Sequence, residues 1–66
     1  MLHLTKREKL IIGLTMHQGL SSADAGEKVG ISKRTVDFHL QNIYRKLEVS
    51  TRIQAYNKVA AGLVEL

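Results

Sequence analysis

The chain has 66 residues, with neither cysteine nor proline, a formal net charge of +4 and a pI near 9.8. A length like this allows one domain at most, burying only about 60% of its unfolded surface; an ordinary catalytic cleft, a disulfide staple and a thiolate metal site are all excluded. The positive balance attracts polyanions but is shared by ribosomal, membrane-surface and merely soluble proteins. No apolar run approaches a membrane span or the core of a signal peptide, so the cytoplasm is the default location.

Thr5-Lys6-Arg7-Glu8 reads as a capping box opening a first helix over about 6–17. Leu4, Ile11, Ile12 and Leu14 supply its apolar surface, while Lys6, Arg7 and Lys9 read as a solvated face, with Arg7 alternatively paired to an acid such as Glu48. Gly13 marks either a close approach of another helix or simple tolerance, since glycine in a helix costs about 1 kcal/mol relative to alanine. Gln18-Gly19 ends the helix, with Gly19 suited to a left-handed position.

A second box, Ser21-Ser22-Ala23-Asp24, starts a short helix over about 22–29 that turns Ala25 and Val29 inward. Gly26 weakens so short a helix, and the usual compensation is tight packing of its backbone against a neighbour. Gly30-Ile31-Ser32 follows as a three-residue turn: glycine for the left-handed residue, isoleucine for the core, serine to cap the next helix. A short helix, a tight turn and a longer helix over about 33–48 make a helix-turn-helix.

At helical period Val36, Leu40, Ile43 and Leu47 form one stripe of that longer helix, and Arg34, Phe38, Gln41 and Arg45 project from the other side. A face kept only for solubility would use lysine and glutamate and avoid phenylalanine. Two arginines, an amide and an aromatic ring on one exposed face instead suit DNA reading. Thr51-Arg52-Ile53-Gln54 opens a fourth helix over about 52–64. Ile53, Ala60 and Val64 line one of its sides and Tyr56, Val59 and Leu63 another, so one strip covers the core and the second fits a dimer contact or a wide buried face. The expected fold is therefore all-α, four helices in a single domain over 1–66.

Leu4-Thr5-x-Arg7-Glu8, Gly19-Leu20-Ser21, Gly30-Ile31-Ser32-x-Arg34-Thr35-Val36-x-x-His39, Asn42-Ile43-x-x-Lys46-Leu47 and Val49-Ser50-x-Arg52 together resemble the LuxR-type (LuxR/FixJ/GerE) helix-turn-helix of bacterial transcription factors. The resemblance covers nearly the whole chain. It implies a four-helix output domain that binds double-stranded DNA as a homodimer, with the third helix in the major groove and pairing through the fourth, RNA polymerase being a further possible partner. The chain departs from the family pattern at Ala25-Gly26, where Ile-Ala is usual, and at Glu48, where glycine is frequent.

By this resemblance Asp37, Phe38 and Gln41 occupy base-facing positions, and Arg34 lies within reach of base or phosphate. Chemically, Arg34 suits guanine, Gln41 adenine, Asp37 the cytosine amino group and Phe38 a thymine methyl. Each has an alternative. Arg34 and Gln41 could be solvated, Asp37 could pair with Arg34 or Arg45 on its own helix, and Phe38 could bury against another domain. Phosphate contacts are expected from Lys33, Thr35, Asn42, Arg45, Lys46 and Arg52, with Ser32 and the helix N-terminus adding donors. Lys46, in the Lys-Leu signature, is the strongest of these. His39 reads as packed or phosphate-bonding, since His3, His17 and His39 lack ligand spacing and no metal or cofactor is expected. Without a nucleophile–base pair or phosphate loop the chain is not expected to be an enzyme. A protein-binding adaptor with little DNA affinity is the alternative function.

Overall fold

Every helix begins where a hydroxyl side chain accepts a backbone N–H: Thr5 from Glu8, Ser21 from Asp24, Ser32 from Thr35 and Thr51 from Gln54. Caps of this kind are worth about 1 kcal/mol each. The computed structural model describes the backbone of residues 2–62 and 64–65 and the side chains of 4–62. Helix α1 (Lys6–Ile12) runs into a π-helical turn (Gly13–His17) and is followed by α2 (Ser22–Val29), α3 (Lys33–Leu47) and α4 (Arg52–Ala60). Two-residue strands β1 (Leu2–His3) and β2 (Val64–Glu65) pair in parallel, Leu2 opposite Val64.

The fold is the expected all-α, four-helix arrangement, and α3 is its centre. Val36, Leu40, Ile43 and Leu47 are buried, and with Leu4, Ile11, Ile12, Leu14, Ala25 and Ala55 they form one core. Ile31, from the turn, packs against its edge. Only the first capping box is fully reciprocal, with Thr5 N–H donating to Glu8 Oε1 over 2.9 Å. In α4 the Gln54 side chain accepts from Ser50 N–H instead, at 2.8 Å.

Glycines 19 and 30 take the left-handed conformations expected of them, with φ of 71° and 76°. A Cβ at Gly26 would stand 2.5 Å from the Ile31 carbonyl oxygen, so the backbone of α2 does pack tightly against the turn that leads into α3. Around Gly13 a Cβ would meet nothing within 4 Å, so tolerance, not close approach, explains that glycine.

The first helical run ends at His17 as expected, but its last turn is π-helical: Gln18 N–H reaches Gly13 O at 3.1 Å, a wider turn that accommodates an extra residue while Leu14 and Thr15 both remain buried. Two expectations about α4 are corrected. The fourth helix stops at Ala60, not 64, because Gly62 turns left-handed (φ 76°) and the chain leaves for β2. Nor does either predicted strip of α4 cover the core as written. Ala55 and half-buried Val59, one turn apart, face inward, whereas Ile53 is 73% exposed and Ala60 is exposed. Leu63 and the Val64 side chain lie outside the described residues.

Glu48 closes α3 with φ 58° and ψ 45°, the single non-glycine residue at positive φ among the described residues. An L-residue pays about 1–2 kcal/mol to enter this region, and glycine escapes that cost but loses more chain entropy on folding. Glu48→Gly is therefore expected to stabilise the fold by up to about 1 kcal/mol, a rise in thermal midpoint of roughly 4–8 °C. A midpoint that falls in a circular-dichroism melt would contradict this account.

Candidate functional site

Because α3 buries one stripe completely, its opposite face is fixed in space by the same packing. Arg34, Phe38, Gln41 and Arg45 are all exposed along it, at spacings that place them on one side of the helix. Phe38 is 61% exposed, an unusual position for an aromatic ring with no covering partner. Its ring meets His39 edge-on, 6.2 Å between centroids. Neither Arg34 nor Arg45 has an acidic partner among the described residues.

At its N-terminal end, α3 gathers a second group. Ser32 Oγ accepts from Thr35 N–H at 3.2 Å and lies 3.0 Å from Thr35 Oγ1, so both hydroxyls serve the cap. Lys33 Nζ donates to Asp37 Oδ2 at 2.8 Å. That hydrogen bond, then the nearby Ser22 hydroxyl of α2, then the charges of Lys33 and Arg52, hold the Asp37 carboxyl below its ordinary range against an opposing effect of burial. Asp37 thus pairs on its own helix, but with Lys33, not Arg34 or Arg45.

Toward the C-terminal half of α3, an open groove runs between that helix and the first turn of α1. Thr5, Glu8, Phe38, His39, Asn42, Arg45 and Lys46 line it. It is a surface depression and lacks the enclosure that holds a small ligand. At its floor Lys46 Nζ donates to Glu8 Oε1 at 2.7 Å, and Glu8 is buried. Burial alone would raise the Glu8 carboxyl, but the Lys46 and Thr5 hydrogen bonds and the Lys46 charge outweigh it and leave the group below its ordinary value. Lys46 keeps 41% of its side chain exposed, so its ammonium retains donors for a further anion.

The residues singled out from the sequence therefore separate into an outward stripe (Arg34, Phe38, Gln41, Arg45), an N-terminal cluster (Ser32, Lys33, Thr35, Asp37, with Arg52 near it) and a groove (His39, Asn42, Lys46). Of the three residues expected at a dimer contact, Tyr56 is exposed and stacks edge-on with His17 at 6.3 Å, and Val59 packs inward on the core. Leu63 lies outside the described residues. Ile53 is the exposed neighbour that the helical pattern had placed elsewhere. Sequence reasoning also missed Ser22 as a partner of Asp37, Glu8 as the partner of Lys46, and Lys58, whose Nζ caps α3 by donating to Leu47 O at 2.6 Å. Arg7 and Glu48 do not meet in either ion pair seen among the described residues. No group of three or more histidine or acidic side chains stands ready for a metal among those residues, and none of their helices is long and apolar enough to cross a membrane.

Residues 2–59 match the family of bacterial regulatory proteins described as the luxR family. The chain is 44% identical over 63 residues to the transcriptional activator protein LuxR of Aliivibrio fischeri, covering 94% of this chain and 25% of that protein. It is 43% identical over 54 residues to the transcriptional activator protein AnoR of Acinetobacter nosocomialis, covering 82% and 22%. Against the transcriptional activator protein SolR of Ralstonia solanacearum it is 37% identical over 62 residues, covering 92% and 26%. The chain spans about a quarter of the length of these curated relatives.

Proposed function

Because the chain belongs to the luxR family of bacterial regulatory proteins, we propose that it binds double-stranded DNA sequence-specifically and regulates transcription, with α3 in the major groove and two copies paired through α4. The observation that carries this reading is the outward face of α3, where Arg34, Phe38, Gln41 and Arg45 stand exposed on a helix whose other side is locked into the core. A major groove admits one helix and presents donors, acceptors and thymine methyls to match. Arg34 and Gln41 supply the polar readers and Phe38 the apolar contact. Arg45, Lys46, Asn42 and His39 on the groove side, and Ser32, Lys33, Thr35 and Arg52 at the helix start, lie where phosphates on either flank would be met.

The exposed Ile53 and Tyr56 of α4 are the apolar side chains with which a second copy would pair. A symmetric pair implies half-sites about one helical turn apart, as an inverted repeat. The work of such a domain is binding and not catalysis, and it belongs in the cytoplasm with the chromosome; whether it serves alone or as the DNA-binding end of a longer regulator, this role is the same.

Fluorescence anisotropy with duplex DNA at two salt concentrations tests the reading. Affinity is expected to fall steeply as salt rises, and Gln41→Ala to change the preference at particular base pairs of a library-selected duplex by about 1–3 kcal/mol while leaving the salt slope intact. If no duplex is bound even at low salt, the chain is a protein-binding adaptor instead, with Phe38 as the anchor of its contact.

A further inference from the structure

We infer that Asp37 is not a base reader but a specificity-determining residue that acts through Lys33, holding back an ammonium that any DNA phosphate would otherwise engage. This rests on the DNA-binding reading above and concerns how the same face distinguishes its site from other DNA. On the α3 surface Asp37 departs from its neighbours: Arg34, Phe38 and Gln41 are exposed, whereas Asp37 is half-buried and lies near Ser22 of α2. Its carboxylate accepts from Lys33 Nζ at 2.8 Å, with the Ser22 side chain at the first residue of α2 and Arg52 of α4 nearby. To accept from a cytosine amino group it would have to abandon partners supplied by its own fold. Arg34 and Gln41 face no such competition.

The lock is built to be exchangeable. Lys33 is well exposed, at 66%, and half-buried Asp37 still keeps 39% of its side chain in solvent, so water and salt screen the pair. A lysine four residues before an acid is also the less favourable order on a helix, because it opposes the macrodipole. A phosphate held firmly in register can therefore displace Asp37 from Lys33. A loosely attached, sliding duplex offers phosphates without that register, and Lys33 stays on Asp37. Counterion release at one phosphate is thereby withheld from sequence-independent binding and restored only on the fitted site.

Asp37→Asn keeps the shape and an acceptor for Ser22 but removes the charge that holds Lys33. On a random-sequence duplex it is expected to steepen the slope of log affinity against log salt by about one, an extra loss of roughly 3.5-fold between about 50 and 200 mM salt, with tighter binding at the low end. A library-selected duplex gains less, so the ratio of specific to non-specific affinity falls. In a Lys33→Ala background the same Asp37→Asn change is expected to do nothing to the slope, which separates action through Lys33 from direct repulsion of phosphate; a purely structural role would move the thermal midpoint and not this slope. An unchanged slope, an equal effect with and without Lys33, or a loss confined to the selected duplex as a base reader would give, overturns the inference alone. If the unmodified chain binds no duplex, the DNA-binding reading and this inference fall together.

Discussion

Ile43→Ala is expected to leave the chain barely folded at room temperature, while Phe38→Ala, five residues earlier on the same helix, is expected to leave its stability almost untouched. Ile43 is fully buried within the core stripe, in one cluster with Ile11 and Ile12 of α1 and Ala55 of α4. Removing a buried isoleucine side chain down to alanine costs about 2–5 kcal/mol through lost burial and the cavity left behind. A domain of this size has a total of only about 3–10 kcal/mol to lose. Phe38, at 61% exposure, has little packing to forfeit, and surface changes of this kind stay within about 0.5 kcal/mol. Urea titrations followed by circular dichroism check the pair. The duplex affinity of Phe38→Ala should fall even though its unfolding curve overlays that of the parent. Should Ile43→Ala unfold within a few tenths of a molar of the parent midpoint, the core assigned to α3 is wrong.

The second large effect is expected from Lys46→Met, which keeps an unbranched stem but removes the charge. Lys46 is the partner of a buried carboxylate, and its loss leaves Glu8 with the Thr5 backbone donor alone. Because the ammonium is itself partly exposed, the cost lies below that of breaking a fully buried pair, at about 1–3 kcal/mol. The dependence on pH gives this prediction its sign. In the parent, Glu8 titrates below the ordinary carboxylate value of 4.5, so its contribution is fully present above that pH and disappears as pH falls through the lower folded value. With Lys46 gone, its hydrogen bond and charge no longer hold the carboxylate ionised, and burial, which favours the protonated acid, is opposed by Thr5 alone. The stability gap between parent and variant should therefore be wide at neutral pH and close as the solution is acidified through the lowered folded value of Glu8. Asp37, also depressed, is common to both proteins and cancels. A gap independent of pH would mean that Lys46 stabilises by packing alone. Duplex binding by the same variant should show a salt slope shallower by about one if Lys46 also meets a phosphate.

What could be read from the residues, and what could not, divides by the range of the forces involved. The α3 stripe was legible because four branched aliphatic residues repeat at helical period and any other conformation would scatter them. Caps at Thr5, Ser21, Ser32 and Thr51, and the left-handed glycines 19 and 30, were legible because each is a local rule of a few residues. The faces of α4 were not. Its true core contact is Ala55, too small to stand out beside Ile53 and Tyr56, and two apolar strips of nearly equal weight cannot be ranked without the neighbour they touch. Its end is obscured because the apolar residues beyond Gly62 continue the helical pattern that this left-handed glycine breaks. The outward placement of Arg34, Phe38 and Gln41 followed directly from the inward stripe. The pairing of Glu8 with Lys46 joins positions 38 residues apart, and no local pattern encodes it. Likewise Lys33 and Arg34 both stand within helical reach of Asp37, four and three residues before it, and only the folded geometry selects Lys33.

The π-helical turn at Gly13–His17 lets this segment hold one residue more than an ordinary helix would. About five residues of such a turn cover nearly the rotation and rise of about four in an α-helix, so losing one residue there would restore an ordinary helix and leave the chain beyond it facing almost the same way. Leu20, whose N–H reaches Leu14 O at 3.0 Å, would still lead α2 to its seat on α3. Single-residue deletions among close relatives should accordingly be tolerated at these five positions, as in the loop where the chain turns at Ser50 in the open, whereas the same loss inside α3 would swing its buried stripe by about 100°.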